Sequence, residues 1–241
     1  MSSFTMLDVA VLVGGHDFST DSNSVTLGLE RDARDVTTFR SGRYRSRIGG
    51  LRDLTCDVEG LWQSDDSPVD ETAFNNIGVR NMPVTLSPTG VAGDTAYMFQ
   101  GTQFTYNMLG AVGEEAPFSL SLQGSEGREG AVRGKVSAVD QSISATGAFG
   151  ALQFAEPADG QFVYAVIHVL EAGTSLSIDL ESASDAGFSD AETRFPFPTI
   201  TATGGYWATR VAGPLADQAF WRFNVSAVSG TFSVVCAIGV Q

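Results

Sequence analysis

Apolar and polar residues alternate with period two along most of the chain, and Gly, Asn, Asp and Pro punctuate the alternations, which is the pattern of half-buried strands. Leu7, Val9, Val11 and Val13 alternate with Asp8, Ala10 and Leu12 and stop at Gly14–Gly15. Val25, Leu27 and Leu29 share one phase. Leu54, Cys56 and Val58 face one side and Thr55, Asp57 and Glu59 the other, predicting a strand that runs to Trp62. Tyr97 to Gln100, Phe104–Tyr106–Met108 and Phe118–Leu120–Leu122 repeat the pattern. Phe162 to Val169 is apolar on both phases, as in a central strand. Leu176–Ile178–Leu180, Trp221–Phe223–Val225 and the run from Phe232 to Val240 follow. Between Arg31 and Gly50 the alternation fails, and that stretch reads as a long loop or a projecting hairpin.

One helix interrupts the strands, near residues 68–78. Ser67 is its cap, Pro68 suits the first helical position, and Asp70 and Glu71 suit the positive end of the helix dipole. Val69, Ala73 and Ile77, with Phe74 beside them, form one apolar stripe, and Gly78 ends the helix. Its expected place is across one sheet, as a cover. Residues 154–160, Phe-Ala-Glu-Pro-Ala-Asp-Gly, carry turn formers and no periodicity, so a domain boundary is expected there. The reading is all-β with one short helix: a sandwich or barrel over 1–153, then a small sandwich over 160–241.

Composition narrows the class. Of 241 residues 43% are apolar and 17% charged, the reverse of a disordered chain. Twenty-seven glycines fit many turns. No run approaches about 18 consecutive apolar residues, so no spanning helix is expected. Met1 to Asp8 lack a basic segment leading into an apolar core, so a secretory signal is not expected and synthesis in the cytoplasm is.

Charge narrows the partners. Fourteen Lys+Arg against 28 Asp+Glu give −14, which argues against a protein that grips nucleic acid through its phosphates. It leaves open a protein that must let DNA pass without sticking. Half of the basic side chains are Arg31, Arg34, Arg40, Arg43, Arg45, Arg47 and Arg52; only Asp32 and Asp35 oppose them, so residues 31–52 stand at +5 and the remainder at −19. Arginine concentrated in this way suits a fixed contact with carboxylates.

Candidate chemistry is sparse. Cys56 and Cys236 fall on apolar phases and read as buried free thiols, ahead of a disulfide or a catalytic thiol. His168, inside an apolar strand, reads as a hydrogen-bonded core or edge histidine; His16, in a turn, reads as solvated or capping. Zinc spacings, a G-x-S-x-G elbow and a P-loop are absent. Asp65–Asp66, Asp70–Glu71 and Glu114–Glu115 are adjacent pairs in turns or at the helix start, where two acids do not converge on a glycosidic bond. No catalytic, cofactor-binding or metal-binding residue is assigned, and an enzyme is not expected. Tyr206, Trp207, Trp221 and Phe195 are the aromatics that would line a sugar-binding face if they are not core.

In this order the features resemble a family, the major tail protein (tail tube subunit) of long-tailed, non-contractile bacteriophages. The resemblance covers about residues 1–150. It rests on Gly14-Gly15-His16-Asp17-Phe18, the strand Val25 to Glu30, Val36-Thr37-Thr38-Phe39, Ser41-Gly42 and Gly49-Gly50. The stretch Leu51 to Trp62, with Asp53-Leu54-Thr55, and the helix after Pro68 complete it. Residues 160–241 are similar to the Ig-like domain that many such proteins carry at the C-terminus, through Phe162 to Val169, Asp185 to Phe197, Phe220-Trp221-Arg222-Phe223 and Ser229-Gly230-Thr231.

The resemblance implies a structural virion protein whose sheets join neighbouring copies into a closed inner barrel. Rings, sixfold as a rule in that family, stack into a tube that conducts DNA during ejection. Its partners would be itself, the tape measure, the tail terminator and baseplate proteins, in a virion tail assembled in the host cytoplasm. Arg40, Arg43, Arg45 and Arg47 are expected on a projecting loop that meets acidic residues of the adjacent ring; an ordinary flexible basic loop, or one in the lumen, is the alternative. The C-terminal domain is expected outside the tube, with weak surface-glycan contact, so that truncation after about Leu152 would spare tube formation. The other function class is a capsid-decoration or receptor-binding sandwich that recognises carbohydrate, marked by an exposed aromatic platform.

Overall fold

The computed structural model describes residues 8–62, 68–124 and 130–241. Its first half contains β1 (Ala10–Val13), β2 (His16–Asp17), β3 (Ser22–Asp35), β4 (Arg47–Leu61), α1 (Pro68–Asn75), β5 (Met82–Ser87), β6 (Thr95–Met108) and β7 (Pro117–Gly124). There follow β8 (Val132–Ile143), β9 (Gly147–Gln153), β10 (Phe162–Glu171), β11 (Ser175–Ala183) and β12 (Glu192–Pro196). The chain finishes with β13 (Gly204–Trp207), β14 (Val211–Ala212), β15 (Phe220–Ser229) and β16 (Phe232–Val240). Among the described residues the fold is all-β with one short helix, as the alternations predict. No helix among the described residues is long and apolar enough to cross a membrane.

A 12-stranded sheet runs β13-β10-β16-β8-β6-β5-β1-β2, and a branch continues from β6 through β7 and β4 to β3. Strand β6 makes the branch possible. Its first half pairs with β5 on one side and β8 on the other, and its second half exchanges β8 for β7. The main path curls until β13 touches β5 and β10 touches β2. Gly15 and Gly204 meet at this seam: a Cβ on Gly15 would lie 2.2 Å from the Gly204 nitrogen, so only glycine lets the backbones approach. Inside the curl lie Ala96, Met98, Val132, Val136, Tyr164, Val166 and Ala237.

Strands β12-β11-β15-β9 form a second sheet. It packs on the outer face of β8, β16 and β10 through Leu176, Ile178, Leu180, Trp221, Phe223, Phe232, Val234, Cys236 and Ile238, all wholly buried. These are the positions that the alternations assign to one face.

The expected boundary at 154–160 has to move. Strand β8 pairs with β16 from Gly134 to Ile143, and β9 pairs with β15 from Gly147 to Gln153. The C-terminal sandwich therefore starts near Val132 and includes two strands assigned by sequence to the preceding domain. Residues 154–161 are turn-rich because they carry the chain from one sheet of the sandwich to the other, an inter-sheet connection that looks like a linker in sequence.

Helix α1 covers the branch sheet as expected, but it ends at Asn75. Val69 and Ala73 are buried, whereas Phe74 and Ile77 stand 61% and 47% exposed, so the apolar stripe is two residues long. The Ile77 position is taken over by polar pins. Gln103 donates from Nε2 to the Ala73 carbonyl at 2.7 Å, and Tyr106 donates to the Asp70 carboxylate at 2.7 Å. Burial and then Asp70 push the Tyr106 phenol up. Gly78, at φ +80°, closes the turn and donates to the Gln103 carbonyl. Ser67, the expected cap, lies outside the described residues.

Candidate assembly surfaces

The branch sheet β3-β4-β7-β6 has one covered face and one open face. Its covered face carries Leu54, Cys56, Val58, Phe118, Leu120 and Leu122 and packs against β1, β5 and α1. On the open face the residues form rows across the strands: Ser24–Glu59–Ser119–Asn107 and Thr26–Asp57–Ser121–Thr105. The next two rows begin with Gly28–Thr55–Gln123 and Glu30–Asp53. Hydroxyls and amides dominate, Glu30, Asp53, Asp57 and Glu59 are the charges, and none of these positions is basic or apolar.

Both edges of this sheet are open among the described residues. Strand β3 pairs with β4 alone, and beyond an isolated bridge from Ile77 to Gln103 nothing pairs with the outer edge of β6 from Phe104 to Met108. The rows place the two free edges at the same level. With four antiparallel strands between them, the edges run in opposite senses, so a second copy related by rotation would present β6 antiparallel to β3. An exposed edge of this length is a template for pairing. Apolar side chains collect beside each edge. Phe74, Ile77 and Phe104 are exposed next to β6, with Phe104 turned out by a bulge between Gln103 and Thr105. Next to β3, Val9, Val25, Leu27, Leu29, Leu86 and Tyr97 line an apolar groove.

The basic segment is a projecting hairpin, one of the two forms expected of it. Strands β3 and β4 stay paired out to Asp35 and Arg47, eight residues beyond the last β4–β7 pair at Thr55, which is about 25 Å of free ribbon. Its tip is held by its own polar groups. Val36 donates to the Ser46 carbonyl, Ser46 to Thr37 Oγ1, and Thr38 and Ser41 bond each other. Asp35 accepts from Thr37, which holds its carboxyl below the ordinary range and occupies one of the two acids of the segment locally. Arg40, Arg43, Arg45 and Arg47 are all exposed, and none forms an ion pair among the described residues. Sequence reasoning singled out these arginines but gave no contact role to Phe39, just before them, or to Tyr44, between Arg43 and Arg45, which stand 112% and 85% exposed. Two aromatics in a run with no strand period were the available signal.

His168 is a buried structural group. Its Nδ1 donates to the Gly14 carbonyl at 2.5 Å, and its Nε2 accepts from the Thr85 hydroxyl at 2.8 Å, so both ring nitrogens stitch β10 to β5 and to the β1–β2 turn across the seam. Burial lowers its pKa to about 4 against small opposing effects of the Gly14 carbonyl and Asp17. His16 is half-buried and edge-on to Phe18 at 4.6 Å, so of the two roles expected for it, solvated or capping, the solvated one does not hold. Among the described residues no three His, Cys, Asp or Glu side chains converge in a metal-binding group. Asp65–Asp66 lies outside the described residues, Asp70 serves Tyr106, and Glu114–Glu115 sits in the β6–β7 loop.

No protein-family model and no curated protein matches the sequence. Solved structures do resemble it. One is a chain from the tail of an empty gene transfer agent particle, refined helically with C6 symmetry, at 14% identity and TM-score 0.40 over 49% of this chain and 92% of that one. Another comes from the virion of a native gene transfer agent particle, at 16% identity and TM-score 0.39, again over 49% and 92%. A third is the Dit protein of SPP1, described as a hub of the adsorption apparatus of phages infecting Gram-positive bacteria, at 9% identity and TM-score 0.38 over 97% and 99%. Likenesses this distant fix no function.

The aromatics considered for a sugar face are used in packing. Trp221 is wholly buried, Phe195 and Tyr206 lean on the sandwich core, and Trp207 packs with Tyr164 at 6.2 Å. They form no exposed platform. The cysteines are buried free thiols. Burial, with Asp57 adding, pushes the Cys56 thiol up to about 12, and burial pushes Cys236 further in the same direction. Neither thiol should react with a water-soluble disulfide reagent in the native protein, and both should react once urea unfolds it. Spectrophotometric thiol titration with and without denaturant checks this.

Proposed function

We propose that the chain is a structural subunit of a virion tail tube, polymerising through its own copies into stacked rings around a passage for DNA. The observation that carries this reading is the branch sheet: a polar, acidic, uncovered face bounded by two open edges at one level and of opposite sense. Pairing β6 of one copy with β3 of the next satisfies the backbone groups of both edges and brings the apolar groove beside β3 against Phe74, Ile77 and Phe104. Repetition closes a barrel, which removes free edges altogether.

The uncovered face then lines the bore. Its carboxylates repel phosphate, and its serines, threonines and asparagine hold water in place of binding DNA, so the duplex meets no deep minimum along the passage. The C-terminal sandwich, the Ig-like unit of the resemblance, rides outside, and the hairpin carrying Arg40, Arg43, Arg45 and Arg47 reaches along the axis to an adjacent ring. No residue is assigned a catalytic role. A glycan-recognising sandwich is the weaker reading, because its aromatic candidates are buried or half-buried in the cores.

Negative-stain electron microscopy of the concentrated protein tests the proposal. Rings or hollow filaments are expected, and dispersed globules at every concentration would refute it.

A further inference from the structure

The two ends of the branch sheet differ in a way that identifies what the hairpin meets. Strands β3 and β4 turn at residues 36–46, beyond the last pairs with β7. Strands β6 and β7 turn at residues 109–116, beyond the pair Met108–Phe118, and the registers place this second turn at the opposite end of the sheet. One end therefore presents Phe39, Arg40, Arg43, Tyr44 and Arg45, and the other presents Leu109, Val112, Glu114 and Glu115. All are exposed, Leu109 to 67% and Val112 to 106%.

We infer that the partner of the hairpin is the 109–116 loop of a second copy, Glu114 and Glu115 receiving the tip arginines while Phe39 and Tyr44 cover Leu109 and Val112. This rests on the assembly reading above and names its axial contact. Like charge on every tip opposes a symmetric tip-to-tip contact, so the arrangement is head-to-tail, and head-to-tail contacts propagate. The ribbon runs on in the strand direction past the last β4–β7 pair, so an end of the next copy's sheet, and not its open face, lies on its course. Guanidinium forks matched to adjacent carboxylates supply direction, and the aromatic–aliphatic contact supplies burial.

The test uses full-length protein carrying Arg43→Glu with Arg45→Glu, Glu114→Arg with Glu115→Arg, or all four changes, each variant first shown to melt like the wild type. Each two-residue reversal should lower the pelletable, filamentous fraction by at least about tenfold, because like charges are then forced together. The fourfold reversal should restore it to near the wild-type value. If the loop reversal assembles normally while the arm reversal does not, or if the fourfold variant stays dispersed, the loop is not the acceptor and the inference falls while the tube reading stands. A wild-type protein that never assembles removes both.

Discussion

Stability to urea should fall steeply as the pH drops from about 6.5 to about 4, by roughly 3 kcal/mol, and should be flat just above that window. The cause is His168. In the unfolded chain its imidazole takes up a proton near pH 6.5; in the fold it stays neutral down to about pH 4, because burial disfavours the cation. Between those values the unfolded state binds the extra proton, so acid favours unfolding, and below the lower value the loss is complete. His16 is shifted in the same direction by burial, against Asp17 and Asp21, and adds to the slope. The tautomer explains why the site resists protonation without collapsing. Nδ1–H is committed to the Gly14 carbonyl and Nε2 to the Thr85 hydroxyl, so a second proton on Nε2 would meet a group already donating to it.

His168→Gln should flatten most of this window while keeping one of the two hydrogen bonds. His168→Phe should cost about 2–4 kcal/mol at neutral pH by leaving the Gly14 carbonyl and the Thr85 hydroxyl without a partner. Urea titrations at several pH values measure both effects. A profile unchanged in either variant would show that the seam does not depend on this ring.

Much of this architecture was legible because strands with one covered face announce themselves. Leu54–Cys56–Val58, Leu176–Ile178–Leu180 and Trp221–Phe223–Val225 all point to a core where period two places them. Phe162–Val169 was legible for the opposite reason, since β10 is buried on both faces, one toward the sandwich core and the other toward the inside of the curl. What period two cannot tell is which sheet a strand joins. The pairings of β8 with β16 and of β9 with β15 span some 70 to 100 residues of sequence, and nothing local records them. The helix was overextended at Ile77 because an apolar residue at the right spacing looks the same whether it faces its own sheet or points outward, as Ile77 does.

The assembly surfaces show the same asymmetry between local and long-range information. Arginine density picks out the hairpin from composition alone. The acceptor proposed for it at 109–116 is two glutamates and two aliphatics in a loop with no pattern, visible only once the registers set the two turns at opposite ends of one sheet. Exposed large apolar side chains among the described residues fall between Leu29 and Val139, so the outer β-sandwich contributes hardly any. That distribution fits the assembly proposed above, in which copies meet through the first half, and the last strands seal the chain's own core.

Truncation after Leu152 should abolish folding, not trim an appendage. It removes β16, the partner of β8, and β10 beyond it in the same sheet, together with β15, the partner of β9, and β11 beyond that. Val132, Val136, Ala138 and Ile143 would lose their cover, and Met98 and Ala96 would lose the far side of the curled core. The seam also goes, because His168 is the group that bonds Gly14 and Thr85. At about 1.5–3 kcal/mol for each large apolar side chain returned to water, four or five such losses match the whole stability of a typical domain, about 5–15 kcal/mol. The truncated chain should be insoluble, or soluble without a cooperative thermal transition, and should form no rings. Circular dichroism melts and size-exclusion chromatography of residues 1–152 measure this, and a monomer that melts cooperatively would restore the boundary at 154–160. Moving the cut to Gly130, ahead of β8, does not rescue the first half, because β6 would then present its Thr95–Met98 edge and the side chains of Ala96 and Met98 to water. Among the described residues the curled sheet draws strands from both halves of the chain, so a cut at either 130 or 152 opens it.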